Sequence, residues 1–425
     1  MESEKKTTQF CRDSEIELLR IVAMFFIVIH HLIVHGSHLT EVTNLPLNTG
    51  TYQKLFYEAF VLFPVDCFIL ISGYYGISLK IKKALSMWVQ CFCYSVGITL
   101  LFLFLAKDVE IKPLIKSFFP ITFGIWWFIT CYFFLMLISP GLNFLAQHLE
   151  KNVFHYLLLV GLVLNCFSSF VTGNISLGGS GSTLVNFVFV YFVGRYLRIH
   201  RDYLSFSKPS CLLSYSLCCL AMAAASFILA KYFHGKGIWR LYRFNNPLII
   251  FEAVAVFYFF KAIKIESTFV NKTGGMVLSV YLIHGHDLVR TWVYDKVLRI
   301  EDFSNQLSYI WFLLLFAIII FVCSLFIEII RRKLSNPVLS LLYSSDTFEA
   351  IESKLSFLDR GDTEHLTNRA AFSPKPVGEP DVRPAPWPDT SGDRVKNADA
   401  AVLPITTKEP QKSRKRATPE ADRIV

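Results

Sequence analysis

The segment EIELLRIVAMFFIVIHHLIVH, Glu15 to His35, decides the fold class of this chain. A helix rises about 1.5 Å per residue, so an apolar run of roughly 20 residues spans a hydrocarbon core of about 30 Å. Apolar runs of similar length recur along the sequence, and no small-residue cleavage site follows the first one. The sequence therefore predicts a retained transmembrane helix here and an all-α, polytopic membrane helix bundle for the chain.

The composition agrees with that class. Of the 425 residues, 53% are hydrophobic and only 18% are Asp, Glu, Lys or Arg, which is too little charge for the surface of a soluble protein of this size. The basic residues behind the net charge of +9 lie mostly in short loops beside apolar runs, where they set membrane orientation. We therefore expect no nucleic-acid partner. The ten cysteines show no CxxC or Cys/His spacing, so we expect no metal site.

About ten spans are predicted, with both termini in the cytoplasm. Lys and Arg are more frequent in the connections that this orientation places inside, although the loop from Lys231 to Arg243 puts several basic residues outside. We expect a multi-pass protein of the cell (plasma or inner) membrane. By apolar periodicity the spans cover roughly 16–35, 55–77, 84–106, 124–146, 153–171, 183–200, 211–233, 246–264, 274–293 and 308–330.

The composition changes after about Tyr343. Phe nearly disappears, and Pro, Ala, Asp, Lys and Arg become frequent. Such a segment buries too little apolar surface to offset the entropy of ordering. We therefore predict a ten-helix membrane domain over 1–343 and a polar, largely disordered cytoplasmic tail over 344–425. A native tail and a fused segment both agree with this composition.

The first span carries an arginine and three histidines. Arg20 and His31 are 11 positions apart, about 1100° of helical rotation, so their side chains lie on one face, about 16 Å apart along the axis. Interfacial anchoring would explain Arg20, and hydrogen bonds to neighbouring helices would explain His31. Ionisable residues deep in a span, however, usually face a cavity or a partner. Structural and functional explanations of this face both stay open.

Other predicted spans also carry polar or aromatic groups that suit a functional cavity. They are Asp66, Ser72, Tyr74, Trp127, Tyr132, Glu252 and His284. Structural explanations exist as well. Asp66 can pair with a cation, the aromatic residues can form an interfacial belt, and the neighbouring Gly73 can permit close helix packing. Together with Arg20 and His31 they are compatible with a polar cavity, in an enzyme or in a transporter.

Four elements, in this order, resemble the signature of acyltransferase family 3, the integral-membrane O-acyltransferases. They are the Arg20 and His31 pair, VDCFILISGYYG with Asp66, Ser72 and Tyr74, WWFITCYFFLMLISPGLN with Trp127 and Tyr132, and SVYLIH with Tyr281 and His284. The similarity covers about residues 10–335. Many members carry an Arg-rich segment after the second element, where this chain has LKIKKALSMW with Lys80, Lys82 and Lys83. Lysine can hold phosphate as a point charge but lacks the bidentate fork of arginine.

The resemblance implies transfer of an acyl group, most often acetyl from acetyl-CoA as co-substrate, to a hydroxyl of a carbohydrate handled at the membrane. The acceptor would be a surface polysaccharide, a lipopolysaccharide or a lipid-linked glycan, and membrane lipid would surround the chain. Donor binding is assigned to Arg20, Lys80, Lys82 and Lys83. The substrate path is assigned to Ser72, Tyr74, Trp127, Tyr132 and His284.

For catalysis we expect His31 to deprotonate the acceptor hydroxyl or to be acylated transiently, because imidazole is the usual base at neutral pH. Asp66 or Glu252 would fix its tautomer, as carboxylates do in other acyl-transfer sites. The alternative function is a multi-pass carrier or flippase of a glycan intermediate. A carrier predicts broken helices in matching halves of an internal repeat, and the sequence shows no such repeat.

Overall fold

The computed structural model describes residues 13–39, 47–105, 111–167, 179–200 and 206–355. Within these ranges every regular element is helical and there is no strand, which confirms the all-α class. The α-helices are α1 (Ser14–His31), α2 (Thr49–Ala59), α3 (Pro64–Tyr75), α4 (Ile81–Leu105), α5 (Ile111–Ser117), α6 (Trp127–His148), α7 (Lys151–Gly161), α8 (Leu184–Ile199), α9 (Lys208–Phe233), α10 (Ile238–Leu241), α11 (Pro247–Lys261), α12 (Thr268–Gly274), α13 (Val277–His284), α14 (Asp287–Thr291), α15 (Tyr309–Tyr343) and α16 (Asp346–Leu355). Three segments are π-helical, Leu32–Gly36, Leu162–Phe167 and Trp292–Leu298, and Ile300–Phe303 is a 3₁₀ turn.

Six helical stretches of the described chain are long and apolar enough to cross a membrane. They are Ser14–Gly36, Thr49–Tyr75, Ile81–Leu105, Trp127–His148, Lys208–Phe233 and Tyr309–Leu341. The other four predicted spans are helical over most of their described residues, but their helices are shorter or interrupted. Positions 168–171 of the fifth predicted span lie outside the described residues. A multi-pass membrane bundle is therefore supported, while the count of ten spans and the cytoplasmic placement of both termini stay predictions.

Two predicted spans are broken rather than continuous. In the second, α2 ends at Ala59 and α3 begins at Pro64, whose missing N–H costs nothing in the first turn of a helix. In the ninth, α13 ends at His284, and His286 caps the following helix by accepting the Leu288 N–H at 3.3 Å. This second break places two histidines at a turn inside the predicted ninth span.

Helices α3 and α8 cross in backbone contact through two glycines. A Cβ atom on Gly73 would lie 2.2 Å from the Tyr191 carbonyl oxygen, and one on Gly194 would lie 2.5 Å from the Leu70 carbonyl oxygen. Real side chains do not fit at such distances, so both positions need glycine. Small residues that let backbones approach are typical of helix interfaces in membranes. Gly73 therefore serves packing.

A buried lysine ties α2 to two loops. The side chain of Lys54 is only 3% exposed, and its Nζ donates to the Ser37 carbonyl oxygen and to Glu301 Oε2, each at 2.7 Å. The Tyr309 hydroxyl hydrogen-bonds the Ser37 hydroxyl at 2.6 Å and extends the network to α15. These contacts hold the segment that follows the first helix in place.

The segment predicted as a polar tail begins with a helix. Asp346–Leu355 is helical, and Glu352 in it pairs with Lys82 at 2.9 Å. The Tyr343 hydroxyl also donates to the Lys82 carbonyl oxygen at 3.2 Å. The part of the predicted tail from residue 356 to 425 lies outside the described residues.

Candidate active site

A cavity of about 490 Å³ lies inside the bundle, between α1, α3, α4, α6 and α13. Much of its wall is apolar, as in most small-molecule sites. The polar part of the lining is formed by Arg20, His30, His31, His35, Ser72, Lys83, Trp127, Tyr132 and Tyr281. Arg20 and His31, which the helical spacing placed on one face, thus both line one cavity. The first helix supplies its cation and its imidazoles.

Three histidines of this wall, His30, His31 and His35, form a cluster with His284, which lies outside the lining. The His31 ring centroid lies 5.4 Å from the rings of both His30 and His35 and 4.9 Å from that of His284. The π-helical turn Leu32–Gly36 continues α1 here and carries His35. His284 is buried, and its Nδ1 donates to the Val280 carbonyl oxygen. The cluster concentrates proton acceptors around His31.

The tautomer of His30 is fixed by Glu58. Glu58 is fully buried on α2, and its Oε1 lies 2.6 Å from His30 Nδ1. An ionised carboxylate only accepts hydrogen bonds, so Nδ1 carries a proton and, in the neutral imidazole, Nε2 keeps its lone pair. This is the arrangement in which a carboxylate prepares an imidazole as a base. His30 therefore meets the structural requirement for a general base in this cavity.

The sequence interpretation missed this pair. It selected Arg20 and His31 on the first span and singled out neither His30 nor Glu58. A signal existed, because Glu58 is a carboxyl inside the second predicted span, where an ionisable group needs a partner. The partner itself is 28 positions away in sequence, and only the fold shows it.

The cations lie elsewhere on the cavity wall. Arg20 Nη1 donates to Glu17 Oε1 at 2.7 Å, and Lys83 also lines the cavity. Ser72 and Tyr132 face the same space, with their hydroxyl oxygens 3.2 Å apart. Lys80 and Lys82, the other predicted donor ligands, are not part of the lining, and Lys82 is paired with Glu352. One of the three predicted lysines thus faces the cavity.

A pair of aromatic rings covers the cavity beside His30. Trp127 and Phe244 stack with ring centroids 5.6 Å apart and an interplanar angle of 22°, and Phe244 lies 6.2 Å from His30. Phe244 directly follows the basic loop that begins at Lys231. The Tyr242 hydroxyl anchors this loop by donating to the Leu55 carbonyl oxygen at 3.0 Å. Trp127 was predicted from the sequence, whereas Phe244 was not.

Four other predicted site residues lie outside the cavity lining. Asp66 is fully buried and accepts a hydrogen bond from Asn186 Nδ2 at 3.3 Å, and Glu252 is fully buried on α11. Neither hydrogen-bonds His31, so the expected orienting contact is absent from the described structure. Tyr74 packs against Phe257 with ring centroids 4.8 Å apart. The His284 ring contacts the rings of His31 and Tyr281, which do line the cavity.

Comparison with known proteins gives one match. The sequence profile of a family described as an acyltransferase domain matches residues 13–330, which include every residue that lines the cavity. No curated protein matches the chain, and no solved structure does.

Proposed function

The chain belongs to the acyltransferase domain family, and from this premise we propose that it moves an acetyl group from acetyl-CoA to a hydroxyl of a cell-surface or exported carbohydrate. Six membrane-length helices agree with a multi-pass acyltransferase, and we place it in the cell membrane. One observation carries the proposal: a single cavity joins Arg20 and Lys83 to a histidine cluster in which Glu58 orients His30.

The donor fits the cationic part of the cavity. CoA is polyanionic, and Arg20 and Lys83 supply positive charge on the lining. Arg20 gives one Nη to Glu17, which leaves several of its five N–H donors for phosphate oxygens. The helical rise between Arg20 and His31 is about 16 Å, a distance comparable to that of extended pantetheine. The thioester would then lie at the histidines.

The histidines would carry the chemistry. His30 Nε2 accepts the proton of the acceptor hydroxyl, and the hydroxyl oxygen forms a bond to the thioester carbonyl carbon. The C–S bond breaks, and the departing CoA thiolate takes the proton back from the His30 imidazolium. In a two-step version, a His31 nitrogen would attack the thioester carbon, and CoA would leave as the thiol with the His31 proton. The carbohydrate hydroxyl would then attack the acetyl carbon of acyl-His31, the C–N bond would break, and the hydroxyl proton would return to His31 by way of His30. Both versions need a neutral imidazole at the thioester.

The acceptor would bind beside the base. Phe244, whose ring centroid lies 6.2 Å from that of His30, forms an apolar surface with the Trp127 ring stacked on it. The C–H faces of a sugar ring pack well on such surfaces, while its hydroxyls stay free to reach a base. This arrangement favours a carbohydrate over a small metabolite as the acceptor.

The test is transfer of radiolabelled acetyl from acetyl-CoA in membranes that lack related enzymes. We expect label in the glycan fraction with the wild type and a loss of about 100-fold or more with His30→Ala. His31→Ala separates the two versions, because only the two-step version needs the His31 imidazole as the acyl acceptor. Arg20→Ala should raise the KM for acetyl-CoA. The control is His148→Ala, an exposed histidine on α6 that bonds the Phe144 carbonyl oxygen away from the cavity. Normal transfer by both His30→Ala and Arg20→Ala would refute the assignment.

A further inference from the structure

Three cationic side chains surround the end of α3, outside the cavity lining. Arg198 Cζ lies 5.3 Å and Lys261 Nζ lies 5.1 Å from the centre of the Tyr74 ring. Arg195 approaches the next turn: a Cβ atom on Gly76 would lie 2.8 Å from its Nη1, and Gly76 has a φ of +77°. The ends of α8 and α11 therefore bring three positive charges to one place.

These charges lack negative partners in the described part of the chain. Arg195 is only 6% exposed, and its buried Nε has no hydrogen-bond partner. None of the ion pairs found among the described residues involves Arg195, Arg198 or Lys261. A buried cation is costly unless an anion compensates it. Arg198 is exposed and Lys261 is half-buried, so this cost falls on Arg195, and an anion from outside the described residues would compensate it.

Local compensation is too small to replace that anion. Three helix C-termini meet here, those of α3, α8 and α11, and each contributes about half an elementary negative charge. The Tyr74 ring attracts cations only through its quadrupole. Together they leave roughly half of the three positive charges unbalanced. Gly76 matters here because a side chain at that position would occupy the space next to the Arg195 guanidinium.

The cluster lies at the same end of the bundle as Arg20. The Tyr75 hydroxyl donates to Asp13 Oδ2 at 2.6 Å and so joins the end of α3 to the start of the first helix. This is the end predicted to face the cytoplasm. Basic pockets between transmembrane helices on that side bind anionic headgroups, and guanidinium groups match phosphate through paired N–H donors.

We propose that Arg195, Arg198 and Lys261 form a phosphate-binding site at the end of α3. Two sources can supply this phosphate: the headgroup of an anionic phospholipid, or the 3′-phosphate of CoA. The second source rests on the proposed acetyl-CoA donor, whereas the first does not. Because the site lies outside the cavity lining, it adds to the donor contacts of Arg20 and Lys83.

The test uses the full chain and measures binding, so it does not depend on transferase activity. The first experiment uses native mass spectrometry to count the phosphatidylglycerol molecules that stay bound to the protein when phosphatidylcholine competes. The second experiment compares the affinities of CoA and 3′-dephospho-CoA. The variant is Arg198→Gln with Lys261→Gln, which leaves the buried Arg195 in place. The double variant Arg198→Lys with Lys261→Arg keeps both charges and tests whether substitution itself disturbs folding. The double variant Lys231→Gln with Lys236→Gln removes two charges elsewhere and is the control for the loss of charge.

We expect the neutralised pair to lose about tenfold or more in affinity for one of the two ligands, while the charge-keeping pair and the control behave as the wild type. Loss of phosphatidylglycerol alone identifies the lipid as the source. Loss of the preference for CoA over 3′-dephospho-CoA identifies the donor. If the neutralised pair binds both ligands as the wild type does, the phosphate site is refuted, whether or not the protein transfers acetyl groups.

Discussion

Glu58→Gln removes the charge that orients His30 and changes little else. Glu58 is fully buried, and its Oε1 lies 2.6 Å from His30 Nδ1. Glutamine has nearly the same shape, but its amide can turn the NH₂ group toward Nδ1. The proton then moves to Nε2, where the acceptor hydroxyl needs a lone pair. If the amide oxygen of the glutamine faces Nδ1 instead, the His30 tautomer is kept, but the hydrogen bond is then made to a neutral acceptor and not to a carboxylate.

The expected loss follows from these two effects. A general base contributes about 100- to 10,000-fold, and a wrong tautomer has cost about 10,000-fold in a Ser-His-Asp site. We therefore expect Glu58→Gln to lower kcat for acetyl transfer by about 100-fold or more, which is roughly 3 kcal/mol or more of activation free energy. The KM for acetyl-CoA should change by less than about threefold, because Glu58 does not line the cavity.

The assay is steady-state release of CoA thiol in the presence of acceptor glycan. Glu252→Gln is the matched control, because Glu252 is an equally buried carboxyl outside the cavity lining. The sequence predicted that Glu252 or Asp66 orients His31, whereas the structure pairs Glu58 with His30. If Glu58→Gln keeps the wild-type kcat, or if Glu252→Gln loses as much as Glu58→Gln, the reasoning is wrong.

Three further substitutions test the packing and the acceptor surface. Gly194→Leu should prevent folding, because a Cβ atom would lie 2.5 Å from a backbone oxygen of α3; a normal gel-filtration profile in detergent would contradict this. Glu301→Ala should lower the free energy of unfolding by about 1–3 kcal/mol, because Lys54 stays buried with only a carbonyl partner; an unchanged Tm would contradict it. Trp127→Ala should raise the acceptor KM about tenfold and leave the acetyl-CoA KM unchanged, because its ring stacks on Phe244 beside the base; equal changes in both constants would instead indicate a general packing defect.

Helical periodicity was sufficient for the parts of the site that lie on one helix. The 11-residue spacing of Arg20 and His31 placed them on one face, and both line the cavity. The apolar runs likewise predicted a helical membrane bundle. Such inferences need only the rise and turn of a regular helix, so they hold wherever the helix is regular.

Side-chain contacts between different helices could not be predicted from helical periodicity. The pairing of His30 with Glu58 depends on how α2 packs against α1, and residue spacing within a helix does not contain that information. Asp66 was assigned to His31 because it is an intramembrane carboxyl, but the fold pairs it with Asn186. A buried carboxyl predicts that a partner exists and does not identify it.

Irregular segments account for the remaining differences. The π-helical turn after His31 and the break after His284 change which faces the neighbouring histidines present. Lys82 was grouped with Lys83 as a donor ligand, yet it pairs with Glu352 on a helix that lies beyond the predicted domain boundary. Periodicity assumes one uninterrupted helix and therefore fails at such positions.

The most direct test of the proposed function is the rate of CoA release from acetyl-CoA by the purified full chain with acceptor glycan, compared between wild type and His30→Ala with His31→Ala. The account predicts release that depends on the acceptor in the wild type and in the His148→Ala control, and a loss of about 100-fold or more in the double variant. Equal, acceptor-dependent release by the wild type and the double variant would contradict the claim that the histidine cluster of this cavity performs acyl transfer.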